Sequence, residues 1–293
     1  MELIDLLVQP LHYPFMARGL IAAVMVGLIC STLGTYVILQ GMAFLGDALA
    51  HAILPGVVLA YLLGWPLAIG ALLVGIATAL GIGALSERTE LRSDTAIGII
   101  FAGSFALGVA MLSTVRSYAV DLAHILFGDV LAVSVQELWL TLGLGTLVLL
   151  TVVLFYKELL VITFDPMLAA VLRLPARFLR YLLLVLIAVT IVVALQTVGI
   201  ALVLAMLVTP AATAQLLTRR LPAMMVTAAI FGAGANVTGL YLSYYANIAS
   251  GPAMVLVATA VFLMVFFLAP HRGLLAQRLL QTKSTNIPLS SEG

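Results

Sequence analysis

Long apolar stretches recur along almost the whole of this 293-residue chain, and they restrict its fold more than any other feature. A helix needs about 20 mostly apolar residues to cross the hydrocarbon core of a bilayer. Charged residues make up only 9% of the chain, whereas a water-soluble domain carries about 25%. The sequence therefore predicts an all-α, polytopic bundle of transmembrane helices. The candidate spans are residues 20–39, 48–63, 67–85, 95–112, 138–155, 181–196, 200–217, 224–244 and 254–268.

The lengths of these stretches leave the number of spans at about eight to nine. The second and the sixth are short, so one of them is expected to be broken or re-entrant. The N-terminus lacks the basic residues of a secretory signal, which favours retention of the first helix. We predict an N-terminal segment over residues 1–15, a transmembrane domain over 16–270, and a flexible polar tail over 271–293.

Basic residues predict which loops face the cytoplasm. Pairs of spans separate four basic clusters, so all four can lie on one side of the membrane. Nine spans would place the N-terminus outside and the C-terminus inside, and eight would place both inside. Arg18 argues against an external N-terminus, so the side of the membrane on which the N-terminus lies stays open. The four clusters are Arg88 and Arg92; Lys157, Arg173, Arg177 and Arg180; Arg219 and Arg220; and Arg272 and Arg278.

A carboxylate and an imidazole interrupt one apolar span. Asp47 and His51 lie four residues apart, so on a helix they share one face. A charge at the bilayer centre costs about 2.5–3.5 kcal/mol on insertion scales, so such a residue is usually kept for a function. Carboxylate oxygen and imidazole nitrogen are both ligands of divalent transition metals. The pair therefore predicts a metal site; the alternative is that Asp47 caps the helix N-terminus and His51 bonds a carbonyl.

Three further features give weaker signals. Asp121 and His124 lie three residues apart in a predicted outer loop, where a solvated short helix is favoured over a second metal contact. Pro210 lies within an apolar stretch and predicts a kink or break in that helix. Asn236 stands among several glycines, a pattern typical of tight helix packing.

A polar segment on the predicted cytoplasmic side has the pattern of a short amphipathic helix. Asp165 suits an N-cap and Pro166 suits the first helical position. Pro175 predicts that the helix ends near Leu174. Such a helix could lie on the membrane surface or dock into a groove on a cytoplasmic partner, and the pattern does not decide between the two. Its apolar stripe consists of Met167, Leu168, Val171 and Leu172.

Other features of the sequence exclude several classes of function. The net charge of +1 gives no reason to expect nucleic acid as a partner. The single cysteine, Cys30, excludes an intramolecular disulfide and every multi-cysteine metal site. The chain contains no G-x-x-x-x-G-K-[ST] run, so it does not hold ATP through a P-loop. It also lacks the H-E-x-x-H and G-x-S-x-G motifs, and no hydrolytic enzyme is predicted.

Three segments together resemble the membrane permeases of ABC transporters that import manganese, zinc or iron. Residues 41–56 read GMAFLGDALAHAILPG, residues 126–133 read LFGDVLAV, and residues 196–199 and 208–214 read QTVG and VTPAATA. The resemblance in hydropathy and motif order extends over residues 14–270. The QTVG run, together with Asn247-Ile248-Ala249, is more similar to the manganese members than to the zinc members.

The resemblance implies an ABC importer permease fold and a homodimer in the bacterial plasma membrane, within membrane lipid. It implies two cytoplasmic ATPase subunits as partners and an extracytoplasmic binding protein that supplies the metal. Asp47 and His51 would contact the transported ion, and the segment 165–175 would be the coupling helix. No permanently bound cofactor is implied, because the metal is cargo. The residues expected to meet the ATPase are Asp165, Pro166, Leu168, Leu172 and Leu174.

Alternatives stay open on the sequence alone. A gradient-driven secondary transporter could use Asp47 as its proton- or ion-coupled carboxylate and would need no ATPase partner. A purely structural membrane protein is disfavoured by the paired Asp47 and His51. The sequence also does not choose among manganese, zinc and iron, because their ligands overlap and selectivity lies in geometry.

Overall fold

The computed structural model describes residues 8–88, 93–114 and 130–269, and within these ranges the regular structure is entirely helical. Two short 3-10 helices, Gln9–His12 and Val130–Ala132, accompany the α-helices. The α-helices of the described residues are α1 (Pro14–Leu39), α2 (Leu45–Ala52), α3 (Leu54–Leu63), α4 (Leu67–Arg88), α5 (Ser93–Ser113), α6 (Val135–Leu154), α7 (Tyr156–Phe164), α8 (Pro166–Val171), α9 (Ala176–Val198), α10 (Ile200–Leu217), α11 (Leu221–Ala246) and α12 (Ser250–Leu268).

The predicted polytopic bundle is confirmed. In the described part of the chain, eight helical elements are long and apolar enough to cross a membrane, with α2 and α3 together forming one of them. The helix α10 contains a shorter apolar stretch, Leu202–Leu217. It packs against α1, α11 and α12, so it lies in the middle of the bundle. Each of the nine apolar stretches of the sequence thus corresponds to helical structure.

The short second span is broken at Ile53, between α2 and α3. Pro55 has no backbone N–H and its ring would collide with the carbonyl of His51 if one helix continued through it. The chain turns instead, and the Ile53 carbonyl accepts the N–H groups of Gly56 and Val57 at 2.9 and 3.1 Å. The break therefore comes two residues after His51.

Glycines let α1 approach its neighbours very closely. A Cβ on Gly27 would lie 2.9 Å from the Gly232 carbonyl oxygen of α11, and a Cβ on Gly34 would collide with the Leu207 carbonyl of α10. Beside the first contact, the buried Asn236 donates from Nδ2 to the Ala23 carbonyl at 2.7 Å. Backbone contacts of this kind are how helices associate in a membrane, where apolar side chains gain little by leaving lipid.

The helix α10 continues through Pro210, so of the predicted kink or break the break does not occur. Pro210 cannot donate to the carbonyl of Met206, one turn earlier. The Ser31 hydroxyl of α1 donates to that carbonyl at 3.5 Å and replaces part of the lost hydrogen bond. The close packing of α1 on α10 supplies the rest of the support.

The helix α4 packs against both α9 and the broken span. A Cβ on Gly75 would be 3.2 Å from the Val192 Cγ2 of α9 and 3.3 Å from the Ile53 Cγ2 at the break, so the two meet on one face of α4. Nearer the start of α4, the backbones of Gly70 and Gly56 touch, because a Cβ on either would collide with the carbonyl of the other. The helix thus contacts α9 and α3 along its length.

Two cavities mark the two ends of the bundle. One, of about 500 Å³, lies where α1, α4, α7 and α9 meet, and its lining includes Glu87, Arg177 and Arg180. We call this end the basic face; it is the predicted cytoplasmic side. The other cavity, of about 560 Å³, lies where α4 and α6 begin and α9 ends, and its lining includes Glu137 and Gln196. We call this end the opposite face.

Candidate metal site

A tight turn after α1 sets the position of the helix that carries Asp47 and His51. Gly41 adopts a φ of 69°, a conformation that costs glycine little. The N–H of Met42 then bonds the Val37 carbonyl at 3.0 Å and ends α1 cleanly. The residue that precedes α2 is Phe44, and no side chain caps the helix. Asp47 lies inside the first turn, so the alternative in which it acts as the N-cap is not what the structure shows.

Asp47 and His51 lie side by side on α2. The Asp47 Oδ1 is 3.5 Å from the His51 Nε2, and the two side chains are 42% and 28% exposed. Two ligand atoms about 2.1 Å from one divalent ion are about 3.0 Å apart at a right angle and about 3.4 Å apart at the tetrahedral angle. The observed separation therefore allows a single divalent ion to contact both atoms without a large movement of α2.

One side of the His51 imidazole is covered by two phenyl rings of α5. The ring centroid of Phe105 lies 5.8 Å from that of His51 with the planes at 79°, and that of Phe101 lies 6.1 Å away at 55°. The two phenyl rings stack on each other at 5.8 Å. Sequence reasoning missed this contact, because phenylalanine is an ordinary residue of any apolar span.

Asp47 and His51 are the two metal-binding side chains that this part of the fold brings together. In the described residues, no group of three or more His, Cys, Asp or Glu side chains is arranged to bind a metal. Both side chains are partly open to the surface. Among the eight spans of the described residues, neighbouring α5 is the least enclosed, with 17% of its most apolar window buried.

The segment after α7 forms the short helix that the sequence predicts. Asp165 is the N-cap, and its Oδ1 accepts the Leu168 N–H at 2.9 Å. The helix α8 ends at Val171, earlier than the predicted end near Leu174. The reason is a Schellman turn: the Leu174 N–H bonds the Ala169 carbonyl at 3.0 Å and Arg173 adopts a φ of 53°. Pro166 occupies the first helical position, as predicted.

The apolar stripe of α8 faces away from the bundle. Ala169 is fully buried and anchors the helix, whereas Leu174 is half-buried. The exposed apolar side chains of this segment are Phe164, Met167, Leu168, Val171 and Leu172. We call these five residues the α8 patch. It lies at the basic face, because α7 leads into α8 and lines the cavity there.

A polar contact next to the α8 patch joins α4 to α9. Glu87 accepts a hydrogen bond from the Tyr181 hydroxyl at 3.3 Å, and the Arg177 Nε lies 3.8 Å from the same oxygen. Sequence reasoning missed this contact, because its partners are 94 residues apart. Since α9 follows α8 directly, the contact joins the segment that carries the patch to α4.

Other residues singled out by the sequence have different positions. Asp121 and His124, residues 126–129 and the tail 271–293 lie outside the described residues. Gln196 lines the cavity at the opposite face, about a bilayer thickness of helix from the α8 patch.

Residues 12–269 match the ABC 3 transport family. The chain belongs to this family. It is 49% identical over 269 residues to the manganese transport system membrane protein MntC of Halalkalibacterium halodurans. This match covers 92% of this chain and 92% of the relative. It is 41% identical to the chelated iron transport system membrane protein YfeD of Yersinia pestis, over 92% of this chain and 90% of the relative.

Solved structures agree with this assignment. PsaBC from Streptococcus pneumoniae, solved in complex with Fab, is similar with a TM-score of 0.82 and 40% identity. The match covers 96% of this chain and 99% of that chain. The protein is thus a multi-pass permease of a bacterial cell membrane with an ABC importer fold. Nothing in the fold or in these comparisons supports the gradient-driven alternative.

Proposed function

We propose that this chain is the membrane permease of an ATP-driven importer of a divalent transition metal, with manganese as the physiological cargo. The observation that carries the proposal is the Asp47–His51 pair, open at the surface of an ABC transport family fold. Manganese is preferred to iron and zinc because the MntC relative, at 49% identity, is named for manganese. Iron is the second candidate, since YfeD is named for chelated iron.

A second copy of the chain completes the site. A two-fold axis beside the pair would bring two carboxylates and two imidazoles around one ion. Manganese accepts carboxylate oxygen together with imidazole nitrogen, so this donor set suits it. Support comes from the open side of the pair and from the low enclosure of α5. The ion would then pass along the axis between the two copies.

The α8 patch is the docking surface for a cytoplasmic ATPase subunit. The support is the exposure of five apolar side chains on one short helix at the basic face, the predicted cytoplasmic side. A groove on the ATPase would cover them. ATP binding would displace α8 and switch the path between outward and inward states by a rigid-body motion. An extracytoplasmic binding protein would deliver the metal at the opposite face.

The site assignment is tested by uptake of manganese in cells that express the complete transporter. Asp47→Ala combined with His51→Ala should abolish uptake, while the amount of ATPase that co-purifies with the permease stays unchanged. Asp94→Ala is the matched control, because Asp94 is also an acidic residue in the first turn of a membrane helix. Normal uptake by the double variant would show that the site is assigned wrongly. Excess zinc or iron in the same assay ranks the three metals.

The docking assignment is tested by co-purification. Leu168 in the α8 patch and Leu217 at the end of α10 are both 43% exposed, so they form a matched pair. Leu168→Glu should release the ATPase, because it places a charge in an apolar contact, and Leu217→Glu should retain it. Equal retention by both variants would contradict docking at the patch. The Asp47 and His51 substitutions should have no effect in this assay.

A further inference from the structure

The two phenyl rings beside His51 form a fixed wall of the site. Phe101 and Phe105 lie one helical turn apart on α5, so both point toward the same side. The helix α5 is held against the broken span, since a Cβ on Gly108 would lie 2.8 Å from Leu54 and 2.9 Å from the Pro55 nitrogen. The backbone that carries the two rings is therefore held close to the segment that carries His51.

This wall restricts the movement of the His51 imidazole on one side of the ring. The edge-to-face geometry of His51 and Phe105, at 79° and 5.8 Å, is the favoured arrangement for two aromatic rings. Phe101 covers the same side at 6.1 Å. Asp47 lies on another side of the ring, 3.5 Å from Nε2. The imidazole is thus held with its Nε2 beside the carboxylate, in the orientation that a shared ion requires.

The fixed imidazole favours a transition metal over the two abundant divalent cations. Mg²⁺ gives up its water reluctantly, and Ca²⁺ takes six to eight oxygen ligands. Manganese accepts an imidazole nitrogen beside carboxylate oxygens. A site in which one ligand is a positioned imidazole therefore disfavours Mg²⁺ and Ca²⁺.

We propose that Phe101 and Phe105 determine the selectivity of this site against Mg²⁺ and Ca²⁺, by fixing the His51 imidazole as a ligand. The inference rests on the proposed metal import function. It assigns a role to two residues that contact no cargo, so they are positioning residues rather than ligands.

The test measures manganese uptake by cells with the complete transporter, in the presence and absence of excess Mg²⁺ or Ca²⁺. Phe105→Leu and Phe101→Leu should each raise the KM for manganese by about 2- to 10-fold, the effect expected of one or two lost aromatic contacts. The maximal rate per transporter should change little. Inhibition by Mg²⁺ and Ca²⁺ should become stronger by a similar factor. Phe105→Tyr keeps the ring and should restore the wild-type KM.

The chain offers a matched control on α12. Phe262 and Phe266 form the same stacked pair, one turn apart, with centroids 5.9 Å apart and planes at 18°. Phe266→Leu should leave both the KM and the inhibition by Mg²⁺ unchanged. A change of KM in this variant equal to that of Phe105→Leu would overturn the proposal, because it would show a general effect on the bundle.

Two results at the site would also overturn it. One is a wild-type KM and wild-type inhibition in both leucine variants, which would make the rings ordinary lipid-facing residues. The other is a lower maximal rate with an unchanged KM, which would indicate a purely structural role. If the proposed function itself is wrong, the His51→Ala variant will also take up manganese at the normal rate. That result separates a wrong function from a wrong role of the two rings.

Discussion

The contact between α1 and α11 predicts opposite outcomes for the same substitution at two nearby glycines. Gly232 faces α1, and a Cβ there would collide with the Ser31 hydroxyl and lie 2.8 Å from the Gly27 carbonyl oxygen. Gly234, two residues later, would place a Cβ in open space, with nothing within 4 Å. Both lie within one helix, so their intrinsic helix preferences are matched.

The magnitudes follow from these two environments. Alanine is favoured over glycine within a helix by about 1 kcal/mol, and this gain applies at both positions. At Gly232 the added methyl meets a backbone carbonyl that cannot move aside, and overpacking of this kind costs about 1–3 kcal/mol. Close approach of the two helices is also the source of their attraction. We expect Gly234→Ala to be neutral or stabilising and Gly232→Ala to be destabilising by up to about 2 kcal/mol.

The assay is unfolding of the purified protein in mixed micelles by titration with sodium dodecyl sulfate, followed by circular dichroism. The free energies of unfolding of the two variants should differ by about 2 kcal/mol, or more than tenfold in the unfolding equilibrium. Equal free energies for the two variants would refute the reasoning. So would a lower stability of Gly234→Ala than of Gly232→Ala.

Three further substitutions test local contacts by the same unfolding assay. Arg173→Gly should stabilise the protein by about 1 kcal/mol, because glycine adopts the φ of 53° without steric cost; a loss of stability would contradict this. Gly41→Ala should be destabilising by about 1 kcal/mol, since its φ of 69° disfavours a side chain; a gain would count against the turn. Tyr181→Phe should cost more than Arg177→Ala, because Arg177 is 87% exposed and its ion pair with Glu87 is screened by water; the reverse order would be inconsistent with the observed geometry.

The sequence predicted the features that depend on local chemistry. Apolar stretches of sufficient length can only be helices in a bilayer, so the spans were predictable. Asp47 and His51 were recognisable because polar residues are rare in such stretches, and Asp165 because it precedes a proline at a helix start. These inferences use residues within a few positions of one another.

Features that depend on contacts between distant helices were not predictable in this way. The Phe101 and Phe105 rings become part of the site only because α5 packs on α2. Glu87 and Tyr181 meet because α4 packs on α9. The Met206 carbonyl that Pro210 leaves without a helical donor is met by Ser31 of another helix. In each case an ordinary residue type acquires its role from a neighbour on another helix, and the sequence alone does not identify that neighbour.

The glycine at the centre of α4 has a mechanical consequence. Val192 of α9 and Ile53 at the break of the second span lie on the same face of α4, where a Cβ on Gly75 would be 3.2 Å from one and 3.3 Å from the other. Because glycine has no side chain, the two methyl groups share that space. With alanine at this position, α9 or the break, which is two residues from His51, would have to give way by a few tenths of an ångström. The size of one residue on α4 therefore sets how closely α9 can approach the helix end beside the proposed ion site.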